Sequence, residues 1–455
     1  MSEAVQITSP LAELDLHAEA LRSDALYLDR CQVDTPSFVV DLVWAQVRAR
    51  RSRPGRVVDF GAGDARFAVT GQFKSYVGYE VDARRAPTAP AGIHILPQCA
   101  FSHSARDADV CVGNPPYVRN QDLPLGWREM ASSEVRRRTG VSLSGLANAW
   151  QYFLMLGLWS TKDDGLLALV LPYEWVTRPA ASPIRAYISE SGWGVDVYRL
   201  DDGTFDGVLT AASITVIDKR GPAGWRFHRV DSTGTVAAVP SATGGSREVL
   251  AYRRVTGTAA PRAKRGLSPG TQRALTLTEG ERVHAGLRVG ADVVRCVTSL
   301  RSVALTEQVL STSVFENCFV NEGEKCWLIR TDKEPSRRLR KYIDSVEESV
   351  YSTATCLARK DWWRFSMPDG APGILIAQAF KGLRPKVVVN EVNAMSVGGV
   401  AGIFNLEPAG AARLVNVICK LDLHDRVVAY AKQMRKIEIN QINALLSELM
   451  PSLSS

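Results

Sequence analysis

Short apolar runs closed by glycine, proline or a polar residue alternate with amphipathic stretches along the first half of the chain. Behind Thr35-Pro36, the apolar positions Phe38, Val39, Val40, Leu42, Val43 and Val47 recur at helical spacing, which predicts a helix N-capped by Thr35 with a proline in its first turn. Residues 57–60, Val-Val-Asp-Phe, read as a buried strand entering Gly61-Ala62-Gly63-Asp64, with a helix expected from Ala65 or Arg66. Further strands are predicted over 76–80, 93–96, 109–113, 166–171 and 213–217, with helices over 150–158 and 178–189. A shorter helical pattern over 11–21 is expected to pack on this domain. Strands alternating with helices predict an α/β fold with a parallel sheet.

The second half has a different texture. Residues 219–275 are rich in Gly, Ser, Thr, Pro and Ala, the composition of a junction with a few strands. Residues 280–405 alternate β-like runs, including 387–390, with basic and aromatic residues, and 411–449 predict two amphipathic helices. The expected division is therefore 1–220, a junction at 221–275, and a mixed α+β domain over 276–455.

The chain has 455 residues, 45% hydrophobic and 23% charged, in the range of water-soluble globular proteins. No run of about 18 apolar residues is present, and the N-terminal residues match neither a signal nor a transit peptide. A cytoplasmic protein without membrane contact is expected. The eight cysteines and six histidines lack metal-ligand or disulfide-scaffold spacing, so no metal is implied. Charge is unevenly divided: residues 1–220 hold 23 Lys+Arg against 26 Asp+Glu, and residues 221–455 hold 32 against 22. An excess of +10 in one half favours a polyanionic partner, although a solvated basic surface would look the same.

Chemistry concentrates where predicted strands end. The 109–113 strand delivers Asn114-Pro115-Pro116-Tyr117. An Asn oxygen beside a carbonyl held by prolines can accept both hydrogens of a conjugated amine and draw its lone pair out of the ring. Tyr117 offers a face for a heterocycle. A rigid strand-to-loop turn is the alternative reading. The Gly61/Gly63 turn lets a cofactor approach the backbone. Because Arg66 stands where the third glycine of a dinucleotide fingerprint belongs, a pyrophosphate cofactor is disfavoured. Glu80, ending the second strand, is placed to accept ribose hydroxyls, and Asp82 reads as a helix cap.

Residues 57–67, 79–82 and 114–117, with Asp34-Thr35-Pro36 upstream, resemble the motifs of the γ-class N6-adenine DNA methyltransferases of restriction-modification systems, in that family's order, over about residues 34–218. The resemblance implies a Rossmann-like S-adenosylmethionine-dependent methyltransferase sheet with helices on both faces, followed by a C-terminal target recognition domain. It implies that Thr35, Asp59, Gly61, Gly63 and Glu80 bind the cofactor, with Cys99 and Phe101 beside its adenine. Asn114 and Pro115, with Pro116, would engage the target amine, and Tyr117 would stack on the base. Cys99 departs from the family's Asp and is a poorer acceptor, so either Gln98 substitutes or affinity falls.

Phe205 reads either as a second stacking partner for a flipped base or as a packing plug. Arg136, Arg137 and Arg138, in the polar insert after the tetrad, and Arg359, Lys360 and Arg364 are the expected DNA contacts. The tryptophans between the latter are expected to be structural. The implied partners are double-stranded DNA and a separate restriction endonuclease, with the protein a monomer or dimer. Alternative acceptors on the same fold are RNA, cytosine N4 and protein glutamine; a decayed, purely DNA-binding core is another reading.

Overall fold

A computed structural model describes residues 33–82, 84–85, 91–205, 211–243, 250, 261–431 and 434–453. The pattern expected over 11–21 and residues 206–207 beside Phe205 lie outside this set. The chain forms two compact units, one comprising the described residues through 243 with 429–431, the other the remainder.

The first unit is built on a nine-stranded sheet. Its strands are β1 (Arg56–Phe60), β2 (Ser75–Tyr79), β3 (Ile93–Leu96), β4 (Ala108–Gly113), β5 (Thr161–Pro172), β6 (Gly194–Arg199), β7 (Ala212–Asp218), β8 (Gly224–Val230) and β9 (Val236–Val239). They lie in the order β3-β2-β1-β4-β5-β7-β6-β8-β9. Strands β1 to β5 are parallel, whereas β7 runs antiparallel to both β5 and β6. At the centre Asp59 is in register with Gly78 on one side and Val112 on the other. Strand order reverses beside β1, so a crevice opens at the carboxyl ends of β1 and β4.

Both faces of the sheet are covered. Helix α1 (Ser37–Arg48) buries Val39, Val40, Val43, Trp44 and Val47 in one cluster with Val57, Val110, Val112, Ala168 and Val170. Helix α2 (Leu125–Thr139) follows the tetrad, and α3 (Ala149–Ser160) packs on β1, β4 and β5. A Cβ at Gly157 of α3 would come within 2.8 Å of Leu167 and 3.0 Å of the Cys111 sulfur, so glycine sets how closely helix and sheet approach. Residues Pro179–Ala181 form a 3-10 turn ahead of α4 (Ser182–Glu190).

Three expectations are corrected. Pro36, not Thr35, occupies the N-cap of α1 and makes no side-chain cap; Thr35 bonds to Asn114 instead. No regular helix follows β1, because Gly61, Gly63 and Ala65 all take positive φ (+86°, +56° and +61°), which winds the segment into turns. The sheet also continues past residue 220, since β8 pairs parallel with β6 and β9 antiparallel with β8.

The second unit holds a five-stranded and a four-stranded sheet, and Ala379–Phe380 pairs antiparallel with Met434–Lys436. The first sheet has the strands Arg262–Lys264, Val400–Phe404, Ile374–Ala377, Val387–Asn390 and Val309–Leu310 in spatial order. Helices Pro408–Ile418 and Ile439–Leu453 pack on it, with the short strand Met434–Lys436 between them in sequence. The other sheet has four strands, Thr276–Leu277, Trp327–Ile329, Val293–Val297 and Met395–Ser396. Helix α5 (Arg337–Asp344) is capped by Ser336, whose hydroxyl accepts the Leu339 amide at 3.2 Å. It buries Leu339 and Ile343 and exposes its basic residues. Among the described residues no helix is long and apolar enough to cross a membrane.

Candidate active site

The rim of the crevice brings three chain segments together. The turn after β1 carries Gly61 and Gly63, Glu80 follows β2, and Asn114 follows β4. Glu80 is 9% exposed. Its Oε2 accepts the Gly63 amide and its Oε1 the Asp82 amide, both at 2.8 Å, so one carboxylate fixes the glycine turn and the exit of β2. Burial raises its pKa, and these two backbone bonds oppose the rise. Asn114 Nδ2 donates to Thr35 Oγ1 at 3.1 Å, while its Oδ1 is buried and has no partner. An uncompensated buried acceptor costs about 1–3 kcal/mol, and an incoming N–H would relieve that cost.

These residues line a cleft of about 1010 Å³, counted out to its open mouth. Its lining is graded. One end carries Asp34, Asp64, Arg66 and Arg85. Arg66 donates to the Thr35 carbonyl at 3.0 Å, to Asp34 at 2.7 Å and to Asp64 at 2.6 Å, and Arg85 pairs with the other oxygen of Asp34. Glu80 lines the same cleft. The other end is apolar, with Cys99, Ala100, Val118, Leu123, Trp127, Ala149 and Phe153. Trp127 lies over Phe153, with centroids 6.2 Å apart and planes 23° apart, and Phe101 meets both edge-on.

Trp127, Phe153, Arg66 and Arg85 were not among the residues expected from sequence to form the site. Phe153 reads there only as core, and Arg66 only as a missing glycine. Cys99 and Gln98 are on the wall, while Phe101, 1% exposed, backs it through the other rings.

Asp59 lies beneath the rim, fully buried. Its Oδ2 accepts the Tyr76 hydroxyl at 2.5 Å, and its Oδ1 has no partner. Burial pushes its carboxyl up to about 7; the Tyr76 hydrogen bond opposes the rise, and the nearby charges of Glu80 and Asp64 add to it. A Cβ at Gly113 would sit 2.3 Å from Asp59 Oδ1, so only glycine can precede Asn114 here. Pro115 is buried and Pro116 lines the cleft, touching the space above Gly61. Tyr117 is half-buried, its hydroxyl shut off from solvent without a partner and its pKa raised by burial.

Other expected residues fall elsewhere. Phe205 is 8% exposed and belongs to the cluster beneath α1 with Tyr198 and Leu200, the packing reading. On α2, Arg136 and Arg137 are exposed, Arg137 pairing with Glu134 at 2.7 Å. Arg138 corrects the expectation of a DNA contact. Its side chain is 5% exposed, bonded to Glu134 and the Phe101 carbonyl, and set over Trp159. In the second unit, Arg359 donates to the backbone carbonyls of Pro269, Ser268 and Trp362, which makes it a loop clamp. Arg364 pairs with Glu334 at 2.8 Å, and Lys360 is exposed. Trp363 is buried, and Trp362 stacks on Tyr351 at 4.3 Å.

Known proteins resemble both units. Residues 91–195 match the family described as Eco57I restriction-modification methylase, and residues 289–420 match that described as type II methyltransferase M.Eco57I, C-terminal domain. The type II methyltransferase M.XamI of Xanthomonas campestris pv. amaranthicola is 23% identical over 460 residues, covering 91% of this chain and 84% of its own. Among solved structures, the type IIL restriction-modification enzyme MmeI in complex with DNA is 12% identical with a TM-score of 0.55, covering 88% of this chain and 61% of that one. A nuclease-deletion mutant of the type ISP restriction-modification enzyme LlaGI, in complex with a DNA substrate mimic, is 9% identical with a TM-score of 0.48, covering 93% and 55%. The chain thus spans less than two thirds of either solved relative, and at 12% identity the likeness to MmeI concerns the fold.

Proposed function

We propose that this chain, a restriction-modification DNA methyltransferase of the Eco57I type, methylates the exocyclic N6 of an adenine rotated out of duplex DNA, with S-adenosylmethionine as donor. The observation that carries the reading is the buried, partnerless Asn114 Oδ1 at the edge of a cleft that is charged at one end and aromatic at the other.

The cleft fits that donor in its chemistry. Asp34, Asp64, Arg66 and Arg85 would hold a zwitterionic amino-acid end and Glu80 a ribose. Cys99, Ala100, Trp127 and Phe153 would hold an adenine. A thiol at Cys99 offers little as an acceptor, and the aromatic wall supplies contact area in its place. When bound, S-adenosylmethionine supplies an electrophilic methyl on a sulfonium. The protein's part is to make the acceptor nucleophilic. Asn114 Oδ1 would accept one N–H of the amine and the Pro115 carbonyl the other, favouring the pyramidal nitrogen that attacks. Thr35 holds the amide nitrogen of Asn114, which leaves the oxygen for the substrate. Base rotation is required because a stacked, paired amine cannot reach a cofactor in a cleft.

On this reading the first unit catalyses and the second selects the DNA site. Duplex DNA incubated with methyl-labelled donor and digested to nucleosides should yield label in N6-methyl-2′-deoxyadenosine alone. Label on cytosine, RNA or protein would replace the adenine assignment, and failure to bind the donor would indicate a core that only binds DNA.

A further inference from the structure

Part of the basic excess of the second half is concentrated in two segments. Residues 333–341 and 359–364 are fifteen residues with eight Lys/Arg against two Asp/Glu. They form one patch because Arg340 of α5 lies 5.9 Å from the centroid of Trp363 and Arg364 lies 5.0 Å from the same ring. The indole is buried and both guanidinium groups lie over it.

Within the patch the cations differ in what holds them. Arg359 serves backbone carbonyls and Arg364 an acid, whereas Arg337, Arg338, Arg340 and Lys341 have no acid within ion-pairing distance among the described residues. All four are exposed. Leu339 and Ile343 anchor the opposite face of the helix, so the cations face outward from a fixed support.

Fold stability does not account for this order of charges. Cations crowd the first turn of α5, while Asp344, Glu347 and Glu348 lie at or beyond its last turn. The helix dipole favours the reverse. A charge order that costs stability points to a ligand that compensates for it.

We propose that the outward face of α5, with Lys333 ahead of it, is the main phosphate-backbone contact of this protein on duplex DNA. This deepens the DNA reading above and moves it away from Arg138, Arg359 and Arg364. Arg338 donates to the Gly286 carbonyl at 3.3 Å and Arg340 lies over Trp363, but neither contact neutralises the charge. Cations without an acidic partner match phosphates, and they position a duplex without reading its sequence.

The experiment measures binding of a labelled duplex by the full chain as a function of salt. It compares wild type, Arg337→Gln/Arg338→Gln/Lys341→Gln, and a control that removes equal charge elsewhere in the same unit, Arg301→Gln/Lys381→Gln/Lys420→Gln. The α5 variant should lose roughly tenfold or more in affinity, and its log–log salt slope should fall by about 0.9 per phosphate contact removed. Its donor binding should match wild type and its melting temperature should be no lower, because the first-turn cations removed oppose the helix dipole. Arg337→Lys/Arg338→Lys should keep the wild-type slope.

An unchanged slope, an equal loss in the control, or patch-dependent binding of RNA but not duplex DNA would overturn the proposal. Wild type that binds duplex through this face yet labels no adenine would refute the chemical reading alone. Wild type that labels adenine with a slope indifferent to α5 would refute this one alone.

Discussion

One side-chain amide, that of Asn114, has its nitrogen taken by Thr35 and its oxygen left bare inside the protein. Asn114→Ala is therefore expected to lower kcat by about a hundredfold to a thousandfold or more, while calorimetry with S-adenosylmethionine gives nearly the wild-type affinity. Equal loss of both would contradict the role given to Asn114. Asp59 makes a different prediction. Its carboxyl is lifted from 3.8 to about 7, so the folded protein holds the proton more tightly than the unfolded chain. The stability tied to that proton is full below about pH 4 and is lost as pH rises through 7. Asp59→Asn keeps an acceptor for Tyr76 without the charge. Its melting temperature should gain on wild type between pH 4 and 7 and level off above, by an amount worth on the order of 4 kcal/mol. A gap that does not change with pH would show that the carboxyl is not held neutral. Neither argument was open to the sequence, which names Asn114 and Asp59 but not which oxygen lacks a partner.

The elements divide into those the apolar pattern reveals and those it hides. Strands β1 to β5 were legible because buried parallel strands are apolar runs with turn residues at their ends. Strand β6 was not, because Asp196 interrupts Gly194–Arg199, and β8 reads as surface with its Arg226, His228 and Arg229. Folded, Asp196 is 4% exposed and meets Arg50 and Arg226 at 2.8 Å and His228 at 3.0 Å. These partners come from two distant segments, the turn after α1 and strand β8, and a linear pattern cannot show that they meet on β6.

They hold the Asp196 carboxyl well below the usual range against its burial, so its contribution is present above the unfolded pKa and lost as pH falls. Asp196→Ala should cost about 3–5 kcal/mol in urea melts at pH 7; a cost under about 1 kcal/mol would show the cluster to be solvent-screened. The same difficulty hid Trp127. It comes from an insert whose sequence reads as polar, and only the packing of α2 against α3 brings it to Phe153. Trp127→Ala should raise the donor Kd about tenfold at the apolar end of the cleft, with Trp127→Phe recovering most of the loss. An unaltered Kd would remove the indole from the binding wall.

At the scale of the whole chain, the donor cleft belongs to one unit and the proposed duplex-gripping face to the other, and the two should respond to salt differently. Raising ionic strength should increase the KM for DNA steeply through counterion release while leaving the donor Kd within about twofold. Parallel shifts in both would mean that one unit does both tasks. The grip of α5 also bears on how many sites are modified per encounter. A contact made to phosphates alone is equivalent at every step along a duplex, so an enzyme held that way can move on to a neighbouring site before it dissociates. On a DNA with several recognition sites, low salt should give molecules modified at all sites or none, and high salt should give molecules modified one site at a time. The α5 variant should give the second pattern even at low salt.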